Sequence, residues 1–245
     1  MKPKVKICGV TNAEDGALAL SLGADELGFV LAPSPRRIEP EALKALLDAL
    51  RGEGRLPSFR AIGVFVNERT DAMRDIIAYC GLDAAQVHGD ETPADCGAFG
   101  FPWYRALRIG SVADAGRLVH SGWGCPRILV DASPQSAIVA KQKAQPSAQT
   151  EVAYGGTGKS VGTWAALAAR DLARDCGKEF FVAGGIGPRS VASAIWSLSP
   201  DGIDASSGIE ERPGRKSREK LEALFAKIAE ARNEREKEGA ANAAR

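Results

Sequence analysis

"KVKICGVTNAEDGALALSL", residues 4–22, decides how the rest of the chain is read. A short apolar run ends in a cysteine, passes through Gly9 and a capping Thr11 or Asn12, and enters a helical segment over Asn12–Leu22. The unit then repeats. "ELGFVL" leads to a helix from Pro40 to about Arg51, "AIGVFV" to Asp71–Cys80, "AAQVHG" to Pro93–Phe99, and "WYRALR" to Val112–His120. "RILVDA" precedes a late helix over Gly162–Arg174, "EFFVAGG" one over Pro188–Leu198, and "GIDASSG" one from Lys216 to about Arg232. Strands alternating with helices imply a parallel sheet, and eight such units in a chain of this length fit an α/β fold of the closed (β/α)8 TIM-barrel type better than an open doubly wound sheet.

The bulk properties agree with one domain. At 245 residues and 44% hydrophobic content the chain can bury a single large core, with the barrel over residues 1–232 and a charged tail over 233–245 that extends the last helix and frays. The polar connection at 132–153 breaks the rhythm, and unstructured loops of that length serve as lids or are disordered insertions. A formal charge of +1 provides no field for nucleic acid or an acidic membrane. Five cysteines without CxxC spacing, joined only by His88 and His120, argue against a structural metal and against a disulfide framework. No signal-like apolar segment opens the chain, and no run approaches a membrane span, so a cytoplasmic protein is expected.

Strand parity gathers the polar candidates. In "VKIC" Lys6 and Cys8 share the inward face, in "RILVDA" Leu129 and Asp131 do, and in "AAQVHG" Gln86 and His88 do. A cation, a thiol, an imidazole and a carboxylate thus converge on the C-terminal mouth, where barrels of this type keep their chemistry. Glycine-rich segments "YGGTGKS" (154–160), "AGGIG" (183–187) and "ASSGIE" (205–210) surround that mouth and suit a phosphate cradled by backbone N–H groups. "GGTGKS" lacks the spacing of a nucleotide P-loop.

"KICGVTNAEDG", "GADELGFVLAPSPRRI", "IGVFVN", "AQVHGDE", "LVDAS", "GGTGKS", "AGGIGPRSV" and "GIDASSGIEERPGRKS" together resemble the phosphoribosylanthranilate isomerase family of tryptophan biosynthesis, in the family's order, over residues 4 to about 230. The resemblance implies an Amadori rearrangement of N-(5'-phosphoribosyl)anthranilate to 1-(2-carboxyphenylamino)-1-deoxyribulose 5-phosphate, with no cofactor. It implies Cys8 as general base and Asp131 as general acid. It puts Arg36 of "SPRR" on the anthranilate side, and Gly156, Gly158, Gly184, Gly185, Ser206 and Ser207 on the phosphate loops. Lys6, two residues before Cys8 on the same face, is expected to pair inside the barrel, to support a thiolate, or both. Where the family commonly has "GGTGKTFDW" this chain has "GGTGKSVGTW" after a longer connection.

Other readings remain open at this point. A lone strand-end cysteine is usually packing, and a lone inward histidine usually supports other residues rather than touching a ligand. Another phosphate-binding barrel of tryptophan or histidine biosynthesis would need a catalytic lysine and glutamate, or paired aspartates on strands one and six, and strand one here ends in cysteine. A non-catalytic phosphate-ligand barrel would have no need of both Cys8 and Asp131. The partner expected is a phosphorylated small molecule, and the assembly a monomer or homodimer.

Overall fold

Period-two alternation in the apolar runs sorts their side chains onto two faces, and in three dimensions those faces become the inside and outside of a cylinder. The computed structural model describes residues 2–131 and 161–243, apart from residues 53, 55 and 121. Strands β1 (Lys4–Cys8), β2 (Glu26–Val30), β3 (Arg60–Phe65), β4 (Ala84–Val87), β5 (Trp103–Arg108), β6 (Arg127–Asp131), β7 (Glu179–Ala183) and β8 (Gly202–Ala205) pair in sequence order. β8 returns to β1 and closes the barrel. Every pairing is parallel, so all the carboxyl ends share one rim.

The outer layer holds α1 (Ala13–Ser21), α2 (Pro40–Gly52), α3 (Thr70–Cys80), α4 (Pro93–Cys96), α5 (Val112–Leu118), α6 (Val161–Asp175), α7 (Val191–Leu198) and α8 (Arg218–Ala243). Caps fix several starts. The Asn12 side chain accepts from the Asp15 N–H at 2.8 Å, Thr92 and Asp95 form a capping box on α4, and Ser111 caps α5. Outward-facing Val5, Ile7, Phe180 and Ile203 are fully buried against helix residues such as Leu20, Leu47, Leu221 and Leu224. Each such aliphatic or aromatic side chain contributes about 1.5–3 kcal/mol of burial.

Among the apolar side chains inside, such as Ile62, Leu129 and Phe181, buried charges stand in pairs. At the amino end of the barrel Arg127 reaches Glu26 with both carboxylate oxygens, at 2.9 and 2.8 Å, and stacks 3.7 Å from the Phe181 ring centroid. This is how charges are tolerated in a low-dielectric interior.

Two expectations change. The alternation runs "GIDASSG" straight into a helix at Lys216, whereas the chain first forms a hairpin of β9 (Glu210–Arg212) and β10 (Arg215–Lys216), and α8 starts at Arg218. Strands of three and two residues are too short to show a period, and the Pro213–Gly214 turn, with Gly214 at φ +81°, is their one local signal. The helix after β7 begins at Val191 because residues 187–190 are held in a turn, with Ser190 N–H donating to Gly187 O at 3.1 Å. At the other end α8 extends past Arg232 to Ala243, as expected for the charged and then Ala-rich segment, through residues rich in Ala, Glu, Lys and Arg that favour helix. The 132–153 connection, with Gly156, Gly158 and Lys159 beyond it, lies outside the described residues. Among the described residues no helix is long and apolar enough to cross a membrane.

Candidate active site

Cys8 is the last residue of β1 and Asp131 the last of β6, so both stand on the carboxyl rim. Cys8 is 8% exposed and Lys6, one pleat deeper, is fully buried. Their slot exists because β2 offers Gly28 opposite Cys8: a Cβ there would lie 2.8 Å from the Cys8 Sγ and 3.0 Å from the Lys6 Nζ. Lys6 donates to Asp204 Oδ2 at 2.7 Å and to Gln86 Oε1 at 3.0 Å, and Tyr104 donates to the same Gln86 oxygen at 2.9 Å. The inward parity of Lys6 and Gln86 is therefore observed directly.

The electrostatics refine the expected support for a thiolate. Burial opposes the Lys6 charge, but Asp204 and Cys8 overcome it and hold the ammonium well above the usual lysine range. For Cys8 the largest influence is burial, which pushes the thiol up; Lys6 and Lys216 pull it down while Asp204 raises it, and the thiol ends above its ordinary value. Lys6 is thus an ion-pair partner first, its charge largely balanced by Asp204. Both roles left open for Lys6 are present together: it pairs with Asp204 and it pulls the Cys8 thiol down against burial.

On the other side of the mouth, Asp131 is level with Arg108 of β5 and Ala183 of β7, and its carbonyl accepts from Ile109 N–H at 3.2 Å. His88 follows β4, and its Nε2 is buried with no hydrogen-bond partner among the described residues. Burial, then the Arg108 charge, lower its pKa to about 4 against an upward pull from Asp131, so the imidazole is neutral near pH 7. Arg36, in the loop after β2, donates through Nε and Nη2 to the Glu210 carboxylate, with Nη2 to Oε2 at 2.7 Å. A Cβ on Gly9 would lie 2.7 Å from Arg36 Cδ and 3.3 Å from Ser206 Oγ, so the β2 and β8 loops meet over the end of β1.

The described part of the expected phosphate cradle follows β7 and β8. Gly184 and Gly185 take φ of +96° and +72°, and Ser206 leads into a single 3₁₀ turn over Ser207–Ile209. The two loops touch backbone to backbone: a Cβ on Gly208 would lie 2.2 Å from Ile186 O. Glycine-bent loops after strands seven and eight are where barrels of this kind bind phosphate. All five cysteines are free. Among the described residues no three His, Cys, Asp or Glu side chains gather as metal ligands do.

Reasoning from the sequence missed Asp204, Tyr104, Glu210 and Lys216. Asp204 is legible in hindsight as the inward carboxylate of "GIDA", facing Lys6 across the β1–β8 pairing. Glu210 and Lys216 stand opposite one another in the hairpin register.

A closed parallel barrel whose polar side chains and glycine-bent loops collect on the carboxyl rim defines an enzyme of the (β/α)8 class, acting on a small anionic ligand. Residues 5–227 match the family described as N-(5'phosphoribosyl)anthranilate (PRA) isomerase, and the chain belongs to that family. It is 34% identical over 235 residues to the N-(5'-phosphoribosyl)anthranilate isomerase of Magnetococcus marinus, covering 95% of this chain and 98% of that one. The crystal structure of the Thermotoga maritima phosphoribosyl anthranilate isomerase superposes with a TM-score of 0.72 at 30% identity, covering 93% of this chain and 98% of that one. A further isomerase structure, in complex with reduced 1-(o-carboxyphenylamino)-1-deoxyribulose 5-phosphate, gives 0.70 at 28% identity with the same coverage. The chain is accordingly an isomerase of tryptophan biosynthesis, of the aldose–ketose intramolecular oxidoreductase type.

Proposed function

We propose that Cys8 and Asp131 divide the base and acid work of the PRA isomerase reaction. The Asp131 carboxylic acid gives its proton to the furanose ring oxygen of N-(5'-phosphoribosyl)anthranilate as the C1'–O bond breaks, and the anthranilate nitrogen lone pair completes a protonated Schiff base. The Cys8 thiolate then takes the C2' proton, and the released electron pair forms the enolamine. Tautomerisation of that enolamine gives 1-(2-carboxyphenylamino)-1-deoxyribulose 5-phosphate. C1' is reduced and C2' oxidised within one molecule, so no cofactor enters the balance.

The observation that carries this reading is that a thiol and a carboxylate close β1 and β6 on one rim of one parallel barrel. Arg36 takes the substrate's ring carboxylate, and the backbone of Gly184, Gly185, Ser206 and Ser207, with Gly156 and Gly158, takes the phosphate. Lys6 and Gln86 support Cys8 from below, and neutral His88 stands beside Asp131. The protein acts as a monomer or homodimer in the cytoplasm, on a small phosphorylated substrate and without nucleic-acid or membrane partners. Complementation of a tryptophan auxotroph lacking this isomerase tests the reading. Growth with the native chain and none with a stably expressed Cys8→Ala chain is expected, and growth with both removes Cys8 from the mechanism.

A further inference from the structure

An arginine that grips a substrate must be aimed before the substrate arrives, because ordering a long side chain on binding costs affinity. Arg36 leaves its loop on a flexible stem and is 23% exposed, yet its guanidinium is fixed on one edge. Nε donates to Glu210 Oε1 at 2.8 Å and to Oε2 at 3.1 Å, and Nη2 donates to Oε2 at 2.7 Å. A guanidinium presents two forked edges. The side-on edge is spent on Glu210, while Nη1, which makes no hydrogen bond among the described residues, and the remaining Nη2 hydrogen form the end-on edge and stay available for a second carboxylate.

Glu210 is itself anchored. Its side chain is 4% exposed, and Oε1 accepts from Lys216 Nζ at 3.0 Å and from Gly214 N–H at 3.3 Å. Lys216 is fully buried at its side chain and also donates to the carbonyl of Cys8 at 2.6 Å and that of Ser206 at 3.4 Å. One chain of contacts therefore runs from the end of β1 through the hairpin to the loop after β2. The Pro213–Gly214 turn produces it, since the hairpin register sets Glu210 opposite Lys216.

We propose that Glu210, locked by Lys216 to the Cys8 and Ser206 carbonyls, is a positioning residue that aims the end-on edge of Arg36 at the ring carboxylate of the substrate. This rests on the assignment of Arg36 to that carboxylate. Glu210 is suited to the task because it is ionised: burial opposes its charge, but Arg36 and Lys216 hold the carboxyl below its ordinary range. It touches no reacting atom. Its contribution is to discriminate substrates that carry the carboxylate from those that do not.

The test compares two inhibitors by calorimetry: reduced 1-(o-carboxyphenylamino)-1-deoxyribulose 5-phosphate, and the same molecule with hydrogen in place of the ring carboxylate. In Glu210→Gln the carboxylate-bearing compound is expected to lose about tenfold or more in affinity, the size of a misaligned charge-assisted pair, and the carboxylate-free one less than about twofold. Equal losses for the two compounds, or no loss for either, overturn the proposal. Because Glu210→Gln leaves a buried Lys216 without its counter-charge, Glu210→Gln/Lys216→Met is measured alongside, with the same selective loss expected if the single variant does not fold. Arg36→Lys separates the two claims. If Arg36→Lys is selective and the Glu210 variants are not, only this inference fails; if Arg36→Lys is not selective, the assignment of Arg36 to the carboxylate fails first.

Discussion

Lys6 Nζ lies 2.7 Å from Asp204 Oδ2 inside the barrel, one pleat below Cys8, with both groups almost wholly removed from water. A buried pair of this kind adds little net stability while intact, because desolvation offsets its attraction, but it is costly to break from one side. Lys6→Met should therefore destabilise the fold by about 3–5 kcal/mol in urea unfolding, and Lys6→Met/Asp204→Leu should recover most of that loss. The same single variant removes the largest downward influence on the Cys8 thiol, so iodoacetamide should modify Cys8 more slowly at any given pH. An unchanged unfolding midpoint in Lys6→Met would show that the pair does not hold the interior.

The contact between Gly208 and Ile186 O gives a second expectation. A methyl group on Gly208 falls 2.2 Å from that carbonyl, which belongs to backbone and cannot swing away, so Gly208→Ala must push the β7 and β8 loops apart. Inorganic phosphate should raise the melting temperature of the native protein by mass action, with 100 times the Kd giving about 2.7 kcal/mol of protection. In Gly208→Ala that protection should shrink at equal phosphate concentration. A variant protected as strongly as the native chain places the phosphate elsewhere.

How far the sequence discloses this molecule follows from the length over which each pattern repeats. The eight strands and their shared rim are legible because alternation is repeated eight times and a parallel barrel has only one rim for strand ends. Parity is equally local, and it identifies Lys6 and Gln86 as inward. What stays hidden is pairing between distant elements. Nothing near Lys6 says that its counter-ion is Asp204, 198 residues away, or that Arg36 is held by Glu210, 174 residues away. The sign of the Cys8 shift is illegible for the same reason, since it depends on the balance of burial against Lys6, Asp204 and Lys216. A hairpin with strands of three and two residues has no period to read.

His88 should leave a signature in the acid limb of stability. Its folded pKa of about 4 lies below the ordinary value near 6.5, so between those limits the unfolded chain binds more protons than the folded one. Stability contributed by the neutral imidazole is then fully present above about pH 6.5 and is lost as the pH falls toward 4, up to about 3 kcal/mol over the window. His88→Asn should flatten this part of the profile in urea titrations between pH 4 and 7. The same slope in both proteins would assign the acid sensitivity to carboxylates.

The sharpest expectation concerns Cys8 and Asp131 together. Cys8→Ser replaces the thiol with a hydroxyl too weakly acidic to act as a base near neutrality, so turnover should fall by a factor on the order of 100 or more. Asp131→Asn keeps the shape but removes the donated proton, and should fall by a similar order. Affinity for reduced 1-(o-carboxyphenylamino)-1-deoxyribulose 5-phosphate should change by less than about threefold in either variant, because neither group is assigned to the phosphate or the ring carboxylate. The double variant should be little slower than the worse single one, since an acid and a base serving one rearrangement act as a unit. The raised Cys8 thiol adds a pH test: only the thiolate is a nucleophile, so the rate at which iodoacetamide modifies Cys8 should climb about tenfold per pH unit through neutrality until the thiol titrates on the alkaline side. That modification should be absent in Cys8→Ser, and a bound inhibitor should slow it in the native chain. Near-native turnover in a correctly folded Cys8→Ser would move the base role to another group on the rim, and neutral His88, beside Asp131, would be the first to test.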